Sequence, residues 1–170
     1  MARNVEIKAR VQSLDAVRDL AARLAPAPPD IVSQADTFFV VPHGRLKVRE
    51  FADGSGELIA YDRADQRGPK ASSYDVVTCA DAGALCAALS RVLTVKGRVV
   101  KRREVFLVGR TRVHLDAVEK LGCFVELEVV LDSGEPVEDG EAEARSLMQR
   151  LGIPPESLVA SAYVDLLEQP

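Results

Sequence analysis

The chain has 170 residues, a formal net charge of −4, 47% hydrophobic residues and 28% charged residues, which is typical of one globular domain in water. The negative charge argues against a protein that mainly coats nucleic acid, and no apolar run approaches the ~20 residues needed to span a bilayer. Three cysteines without a CxxC motif and only two histidines argue against a Cys/His metal site, but they leave open a hard cation on carboxylates.

The first half of the chain has the pattern of strands interrupted by two helices. Residues Asn4 to Val11 alternate polar and apolar side chains, so one face of this strand is expected to be buried. Ser13 and Asp81 are candidate N-caps of the two helices, and the proline-rich segment 25–29 ends the first. The predicted strands are 4–11, 36–41, 45–51, 57–63 and 72–78, the predicted helices are 13–24 and 81–92, and 64–70 is a predicted loop.

The second half begins with three predicted strands between Val99 and Leu131. Gly109 and Arg110 are expected to turn the first of them into the second, and a short helical piece over 117–121 is expected before the third. Two helices then close the chain, over 138–151 and 157–167, separated by glycine and prolines. Neither an internal repeat nor a linker divides the sequence, so residues 1–170 are predicted to form a single domain.

Charged residues recur at every second position of the predicted strands and therefore share a face. Lys101 and Arg103 share one face of their strand, and Glu126 and Glu128 lie opposite an apolar face. The basic residues in this phase are Lys8, Arg10, Arg45, Lys47, Arg49, Arg63, Lys101, Arg103 and Arg112. The acidic ones are Glu6, Asp116, Glu126 and Glu128.

These charged faces have two interpretations. They are either ordinary solvated faces of a sheet whose apolar side packs on helices, or inner faces of a barrel. Strands rich in like charge repel when they pair, which favours a wet, partly paired barrel interior that binds a polyanion. Arg and Lys suit phosphate oxygens, and the few carboxylates suit Mg²⁺ or Mn²⁺ bound together with a triphosphate. The sequence has neither a P-loop nor a dinucleotide-binding glycine motif, so such a site would be built on strands.

Segments along nearly the whole chain, in order, resemble those of the CYTH superfamily, the triphosphate tunnel enzymes. They are NVEIKARV, QADTFF with GRLKVRE, ELIAYDR, VKRREVF, RVHLDAVEKLGCFVELE and AYVDLL. The resemblance implies an α+β fold, in which a closed antiparallel eight-stranded β-barrel forms a tunnel with helices packed outside. It also implies a triphosphate substrate, because the superfamily includes class IV adenylate cyclases, thiamine triphosphatases and inorganic triphosphatases.

The resemblance further implies roles for individual side chains. Residues implied to act in catalysis are Lys8, Arg63, Lys101 and Arg103. Residues implied to bind the triphosphate are Lys8, Lys47, Arg49, Arg63, Lys101, Arg103 and Arg112. Implied ligands of Mg²⁺ or Mn²⁺ are Glu6, Asp116, Glu126 and Glu128. Asn4 stands where the family's ExExK signature has its first glutamate, which removes a carboxylate but retains a carbonyl oxygen.

The opening segment and RVHLDAVEKLG are most similar to class IV adenylate cyclases, so the expected activity converts ATP to cyclic AMP and pyrophosphate. The alternatives are a thiamine or inorganic triphosphatase, and a non-catalytic polyphosphate or nucleotide sensor. His114 is expected to be a hydrogen-bonded lumen residue rather than a catalytic one, and Lys70 is expected either at the tunnel mouth or in solvent. The N-terminus lacks the apolar region of a secretory signal, so we expect a cytoplasmic monomer or homodimer without nucleic-acid or membrane partners.

Overall fold

The computed structural model describes residues 1–168, and the last two residues of the predicted domain lie outside the described residues. Strands in this part of the chain form one closed barrel, in the order β1-β5-β4-β3-β2-β6-β7-β8. All neighbouring strands are antiparallel, which confirms the predicted eight-stranded antiparallel barrel. The strands are β1 (Ala2–Val11), β2 (Asp30–Phe39), β3 (Arg45–Phe51), β4 (Gly56–Arg63), β5 (Lys70–Cys79), β6 (Val95–Val108), β7 (Thr111–Val118) and β8 (Gly122–Val130).

Helices cover the outside of the barrel and close one of its ends. They are α1 (Asp15–Leu24), α2 (Ala82–Ser90), α3 (Val137–Arg150) and α4 (Tyr163–Leu167), with a 3₁₀ turn at Pro155–Ser157. The Asp81 carboxylate caps α2 as predicted, because it accepts a hydrogen bond of 2.8 Å from the backbone N–H of Ala84. Within residues 1–168, none of these helices has the length and apolarity that a membrane-spanning helix requires.

The main hydrophobic core lies between the outer face of the barrel and two of the helices, α1 and α3. Leu127 of β8 and Leu115 of β7 are both fully buried there, packed with Ala21 of α1 and Leu147 of α3. Each such large aliphatic side chain contributes about 1.5–3 kcal/mol by leaving water. The alternation of strand side chains sends the odd-numbered residues of β8 into this core, and thereby turns Glu126 into the barrel interior.

A second cluster of apolar residues seals one end of the barrel. The rings of Phe124 and Tyr163 meet edge to face, with centroids 4.9 Å apart and planes at 67°. Val164 packs in the same cluster, beside Phe38 and Val99. Helix α4 and the residues just before it therefore close this end, and they bring Tyr163 to the charged interior.

Two predicted elements of the N-terminal half have different boundaries in the structure. Strand β2 begins at Asp30 rather than Asp36, because residues 30–35 pair with β6, and it ends at Phe39. Lys70 is the first residue of β5 and is buried, so the prediction that it belongs to a loop was wrong. Helix α1 has Leu14 at its N-cap position, one residue after Ser13. The Ser13 hydroxyl instead accepts a hydrogen bond of 3.2 Å from the backbone N–H of Asp15.

Two helical predictions in the C-terminal half were wrong. The segment 117–121 is not helical, because β7 continues to Val118 and a tight turn leads to β8. In that turn Lys120 has a positive φ of 65°, which a helix does not permit. The closing helix predicted over 157–167 is interrupted, since α4 begins only at Tyr163. Before it the chain is held to the barrel, where the backbone N–H of Val159 donates to the carbonyl of Lys8 at 2.9 Å.

Candidate active site

The barrel encloses a cavity of about 370 Å³ whose wall is made of alternate residues from all eight strands. Side chains of a strand alternate between its two faces, so the in-phase charges of the sequence meet in this cavity. The basic wall residues are Lys8, Lys47, Arg49, Arg63, Lys101, Arg103 and Arg112, and the acidic ones are Glu6, Asp36, Glu57, Glu126 and Glu128. Cations outnumber carboxylates, which favours binding of an anion.

Asp36 of β2 holds three cations of the cavity wall together. Its carboxylate accepts hydrogen bonds from Lys47 Nζ at 2.9 Å, and from Arg49 Nε at 2.9 Å and Nη2 at 3.2 Å. Lys101 Nζ lies 3.9 Å from the same carboxylate, whose side chain is only 1% exposed. Asp36 is thus the carboxylate that the three cations share, although Arg49 also lies 3.6 Å from Glu57 and Lys101 lies 3.8 Å from Asp116.

This shared carboxylate explains the protonation of the cluster. Burial opposes ionisation of Asp36, but the charges of Arg49 and Lys47 outweigh it and hold the pKa of Asp36 well below its usual value. Burial lowers the pKa of Lys47 to about 8, with Arg49 and Lys101 adding to this against the attraction of Asp36. Burial and the nearby Arg103 also lower the pKa of Lys101. Each lysine is only partly compensated, so a bound anion would stabilise the charged form of both.

Arg103 of β6 lies deeper and is fully paired. It donates to both oxygens of Asp116, from Nε at 2.7 Å and from Nη2 at 2.6 Å, and from Nη2 to Glu126 at 2.6 Å. The hydroxyl of Tyr163 also donates to Asp116, at 2.8 Å. Burial acts against the charge of Arg103, but Asp116 and Glu126 raise the pKa of Arg103 well above its usual value. Arg103 is therefore a fixed positive charge in a rigid position.

Two buried lysines bind the C-terminal segment at the end of the barrel that α4 closes. Lys8 Nζ lies 3.3 Å from Glu126, donates to the carbonyl of Ser161 at 3.1 Å, and sits 3.8 Å from the centre of the Tyr163 ring. Lys70 Nζ donates to the carbonyl of Ala160, also at 3.1 Å. Burial lowers the pKa of Lys8, although Glu126 opposes the shift. The structure thus places Lys70 at the closed end of the barrel, not in solvent.

Asn4 of β1 and Arg63 of β4 have buried polar atoms without hydrogen-bond partners among the described residues. Glu6 Oε1 lies 3.5 Å from Arg63 Nη1, and burial raises the pKa of Glu6 although Arg63 opposes the shift. Asn4 Oδ1 and the Nε and Nη2 atoms of Arg63 are buried without a hydrogen-bond partner in residues 1–168. Arg63 Nη2 has an ion-pair contact of 3.6 Å with Asp65. Buried polar atoms without hydrogen bonds cost about 1–3 kcal/mol each, so a ligand that bonded to these groups would recover that cost.

His114 of β7 faces the two glutamates of β8. Its Nδ1 lies 3.8 Å from Glu126 and 3.8 Å from Glu128, and ligand atoms of all three residues lie within 4.8 Å of one another. Burial, reinforced by the charge of Arg103, lowers the pKa of His114. Arg112 donates to Glu128 at 2.9 Å and to the Tyr74 hydroxyl at 3.2 Å. His114, Glu126 and Glu128 are a candidate cation site in the described part of the chain.

The structure brings together nearly all of the predicted site residues. The predicted phosphate ligands all line the cavity, as do Glu6, Glu126 and Glu128. Asp116 is in the same inward phase as Arg112 and His114 but has no exposed surface, and Arg103 and Tyr163 occupy its carboxylate. Arg45, which is in phase with these residues, pairs instead with Asp65 and with Asp165 at 3.6 Å, away from the cavity wall.

Sequence reasoning missed two residues that organise the site. Asp36 is the first residue of the strand predicted over 36–41, so the sequence pattern does not show that it shares the inward face with Gln34 and Phe38. The only signal for it would have been a carboxylate in phase with Phe38 on the predicted strand. Tyr163 lies in the predicted closing helix over 157–167, and nothing local in the sequence indicates that it reaches Asp116 on β7.

Comparison with known proteins gives the same family over most of the chain. The family model of the CYTH domain matches residues 2–163. The adenylate cyclase CyaB of Aeromonas hydrophila is 27% identical over 177 residues, covering 97% of this chain and 88% of that protein.

Two solved structures share the fold of the chain. The PH1012 protein of Pyrococcus horikoshii OT3 superposes with a TM-score of 0.85 at 24% identity, covering 96% of this chain and 98% of that one. HpAC1 of Hippeastrum, described as an adenylyl cyclase candidate with a dominant triphosphatase activity, superposes with a TM-score of 0.65 at 19% identity, covering 97% and 95%.

Proposed function

The chain belongs to the CYTH domain family, and on this basis we propose that it binds a triphosphate inside the barrel and converts ATP to cyclic AMP and pyrophosphate. The observation that carries the proposal is the cluster of Lys47, Arg49 and Lys101 around the shared carboxylate of Asp36. A cavity wall in which cations outnumber carboxylates, and in which three of the cations converge on one buried carboxylate, suits a multiply charged anion. A triphosphate chain meets this need better than a monoanion does.

The proposed reaction forms one bond and breaks one. The 3′-hydroxyl oxygen of ATP attacks the α-phosphorus, the bond from that phosphorus to the bridging oxygen of pyrophosphate breaks, and the hydroxyl proton passes to water. Lys47, Arg49 and Arg112 hold the phosphates that leave, while Lys8, Arg63, Lys101 and Arg103 stabilise charge that develops on the reacting phosphate. Positioning and electrostatic stabilisation account for most of the acceleration in such phosphate chemistry.

A divalent cation, Mg²⁺ or Mn²⁺, fits the donor atoms of the cavity. Glu126 and Glu128 would hold it, and Glu6 is close in register because it pairs with Glu128 across β1 and β8. Asp116 is the weakest of the predicted ligands, because it has no exposed surface, does not line the cavity, and has both carboxylate oxygens bonded to Arg103. When bound, the cation supplies Lewis-acid charge stabilisation at phosphate oxygens.

The apolar part of the cavity supports a substrate with an organic group. Phe51 of β3, Ile59 of β4 and Val76 of β5 line the cavity wall, and Ile59 and Val76 are direct cross-strand partners. An adenosine group can pack on such a surface, whereas inorganic triphosphate has nothing to bury there. This favours a nucleoside triphosphate over an inorganic one, and it agrees with the name of the Aeromonas hydrophila relative.

Hydrolysis of the terminal phosphate is the second candidate function. It is favoured by HpAC1 of Hippeastrum, which has the same fold and a dominant triphosphatase activity. The two reactions use the same cations and differ in the nucleophile, which is water for hydrolysis, and in the phosphorus that it attacks.

The test is to incubate the protein with ATP, thiamine triphosphate or tripolyphosphate, with Mg²⁺ or Mn²⁺, and to identify the products by ³¹P NMR and chromatography. Cyclic AMP with pyrophosphate is the expected result for ATP. Orthophosphate with ADP would support the triphosphatase, and tight binding without turnover would support a sensor. A Lys101→Ala variant should lose the turnover, whereas Arg102→Ala should keep it because Arg102 lies outside the barrel and pairs with Glu104.

A further inference from the structure

His114 has the geometry of a cation ligand rather than of a hydrogen-bonded core histidine. It lies opposite Glu126 in the register of β7 and β8, and Glu128 is two residues further along the same face of β8. The imidazole Nδ1 is 3.8 Å from Glu126 Oε2 and 3.8 Å from Glu128 Oε1. Both distances are too long for hydrogen bonds, and both are short enough for one ion to lie between the atoms.

The Nδ1 atom is also buried without a partner. It makes no hydrogen bond to any residue of 1–168, and its side chain is only 5% exposed. The two glutamates, by contrast, have basic partners. Glu126 Oε2 accepts a hydrogen bond from Arg103 at 2.6 Å, so an ion would share this oxygen with Arg103, and Glu126 Oε1 lies 3.3 Å from Lys8 Nζ. The partner of Glu128 is Arg112. Glu128 uses Oε2 for that contact, so Oε1 is the oxygen that faces the imidazole. The free nitrogen and this oxygen therefore border the same small space.

The size of this space agrees with a first-row divalent ion. Ligand atoms at about 2.1 Å from such an ion are at most ~4.2 Å apart. The ligand atoms of His114, Glu126 and Glu128 already lie within 4.8 Å of one another, so a small side-chain adjustment is enough. Cross-strand pairing fixes the three residues on two adjacent strands, which gives the site a rigid frame.

We propose that His114 is the third protein ligand, with Glu126 and Glu128, of a divalent-cation site, and that it makes the site prefer Mn²⁺ over Mg²⁺. Mg²⁺ takes oxygen ligands and gives up its waters reluctantly, whereas an imidazole nitrogen suits transition-metal ions. The inference rests on the proposed function, since the same cation would neutralise the bound triphosphate. It adds a ligand and a metal preference to that function.

The test uses the fact that the sequence has only two histidines, His43 and His114. Tag-free protein is loaded with Mn²⁺ in the absence of any triphosphate, and pulsed EPR detects coupling of the metal to imidazole ¹⁴N. We expect this coupling in the wild type, a changed pattern after ¹⁵N-histidine labelling, and an unchanged signal in His43→Ala, whose position is an exposed turn. Absence of the coupling in the wild type, or its loss in His43→Ala, would overturn the proposal.

Calorimetric titration with MnCl₂ and MgCl₂ gives the second readout. His114→Ala should weaken Mn²⁺ binding by about tenfold or more while changing Mg²⁺ binding much less, because only the nitrogen ligand is removed. Equal losses for both ions, or none, would contradict the proposal, and the wild-type spectra decide the matter if this variant fails to fold. Failure of the proposed function is separate, because metal binding is measured without substrate and turnover of ATP is scored independently.

Discussion

Replacing Asp36 by Asn tests whether one buried carboxylate holds the cation cluster together. The substitution keeps the size of the side chain and removes the charge that accepts hydrogen bonds from Lys47 and Arg49 within 3.2 Å. Removing one partner of a buried ion pair typically costs ~3–5 kcal/mol, because the remaining charges stay buried without compensation. Since domains of this kind are stable by only ~5–15 kcal/mol, we expect Asp36→Asn to lose a large part of its free energy of unfolding.

Urea denaturation followed by circular dichroism measures this loss. The matched control is Asp62→Asn, which removes an exposed carboxylate from β4 and should change the free energy of unfolding by less than ~0.5 kcal/mol. Tripolyphosphate at a hundred times its dissociation constant should raise the free energy of unfolding of Asp36→Asn by ~2.7 kcal/mol, which is the gain that any folded protein obtains from one site so nearly saturated. A loss below ~1 kcal/mol in Asp36→Asn would refute the claim that this carboxylate anchors the cluster.

Three further predictions follow from the contacts of the site. Affinity for a non-hydrolysable ATP analogue should fall as pH rises through about 8, where folded Lys47 loses its proton, and Lys47→Arg should flatten this profile because arginine stays charged. Between pH 8 and the usual lysine pKa of 10.5, Lys47 is protonated in the unfolded chain and unprotonated in the folded chain. The contribution of Lys47 to the free energy of unfolding therefore rises with pH in this window. Potentiometric titration of the folded and unfolded states checks the sign. Tyr163→Phe should lose ~1.5–3 kcal/mol of stability, the value of a hydrogen bond to a charged group such as Asp116, and a thermal midpoint equal to that of the wild type would contradict this. Lys70→Met should speed hydrogen exchange around Ala160, to which the Lys70 ammonium is bonded, without changing exchange in β6; equal exchange in both proteins would show that the lysine does not hold the segment.

Much of the barrel could be predicted because alternation of side chains is a local property of the sequence. Lys101 and Arg103 are in phase on β6, and Glu126 and Glu128 on β8, and the structure turns all four toward the interior. No single strand shows that its charged face points into a barrel. That prediction depends on the recurrence of charge on several strands, together with the resemblance to the family. The segment 117–121 was mispredicted because its apolar spacing also fits one turn of helix, whereas its strand state depends on pairing with β8.

The partners of the site residues could not be predicted from the sequence. Asp36 serves Lys47, Arg49 and Lys101, which come from two other strands, and this sharing depends on the order of strands around the barrel. Strand β2 lies between β3 and β6, an order that no local pattern specifies. The contact of Tyr163 with Asp116 is of the same kind, because it joins the end of the chain to the middle of a strand.

The most direct test of the central claim is a calorimetric titration of tripolyphosphate into the wild type, Lys101→Ala and Arg102→Ala. These neighbouring residues of β6 differ in the face they occupy, since Lys101 lines the cavity and Arg102 is about half exposed outside the barrel. If the triphosphate binds in the barrel interior, we expect one bound ligand per chain. Lys101→Ala should lose about tenfold to a hundredfold in affinity, and Arg102→Ala should keep the affinity of the wild type. Equal losses in the two variants, or no binding to the wild type, would contradict the account.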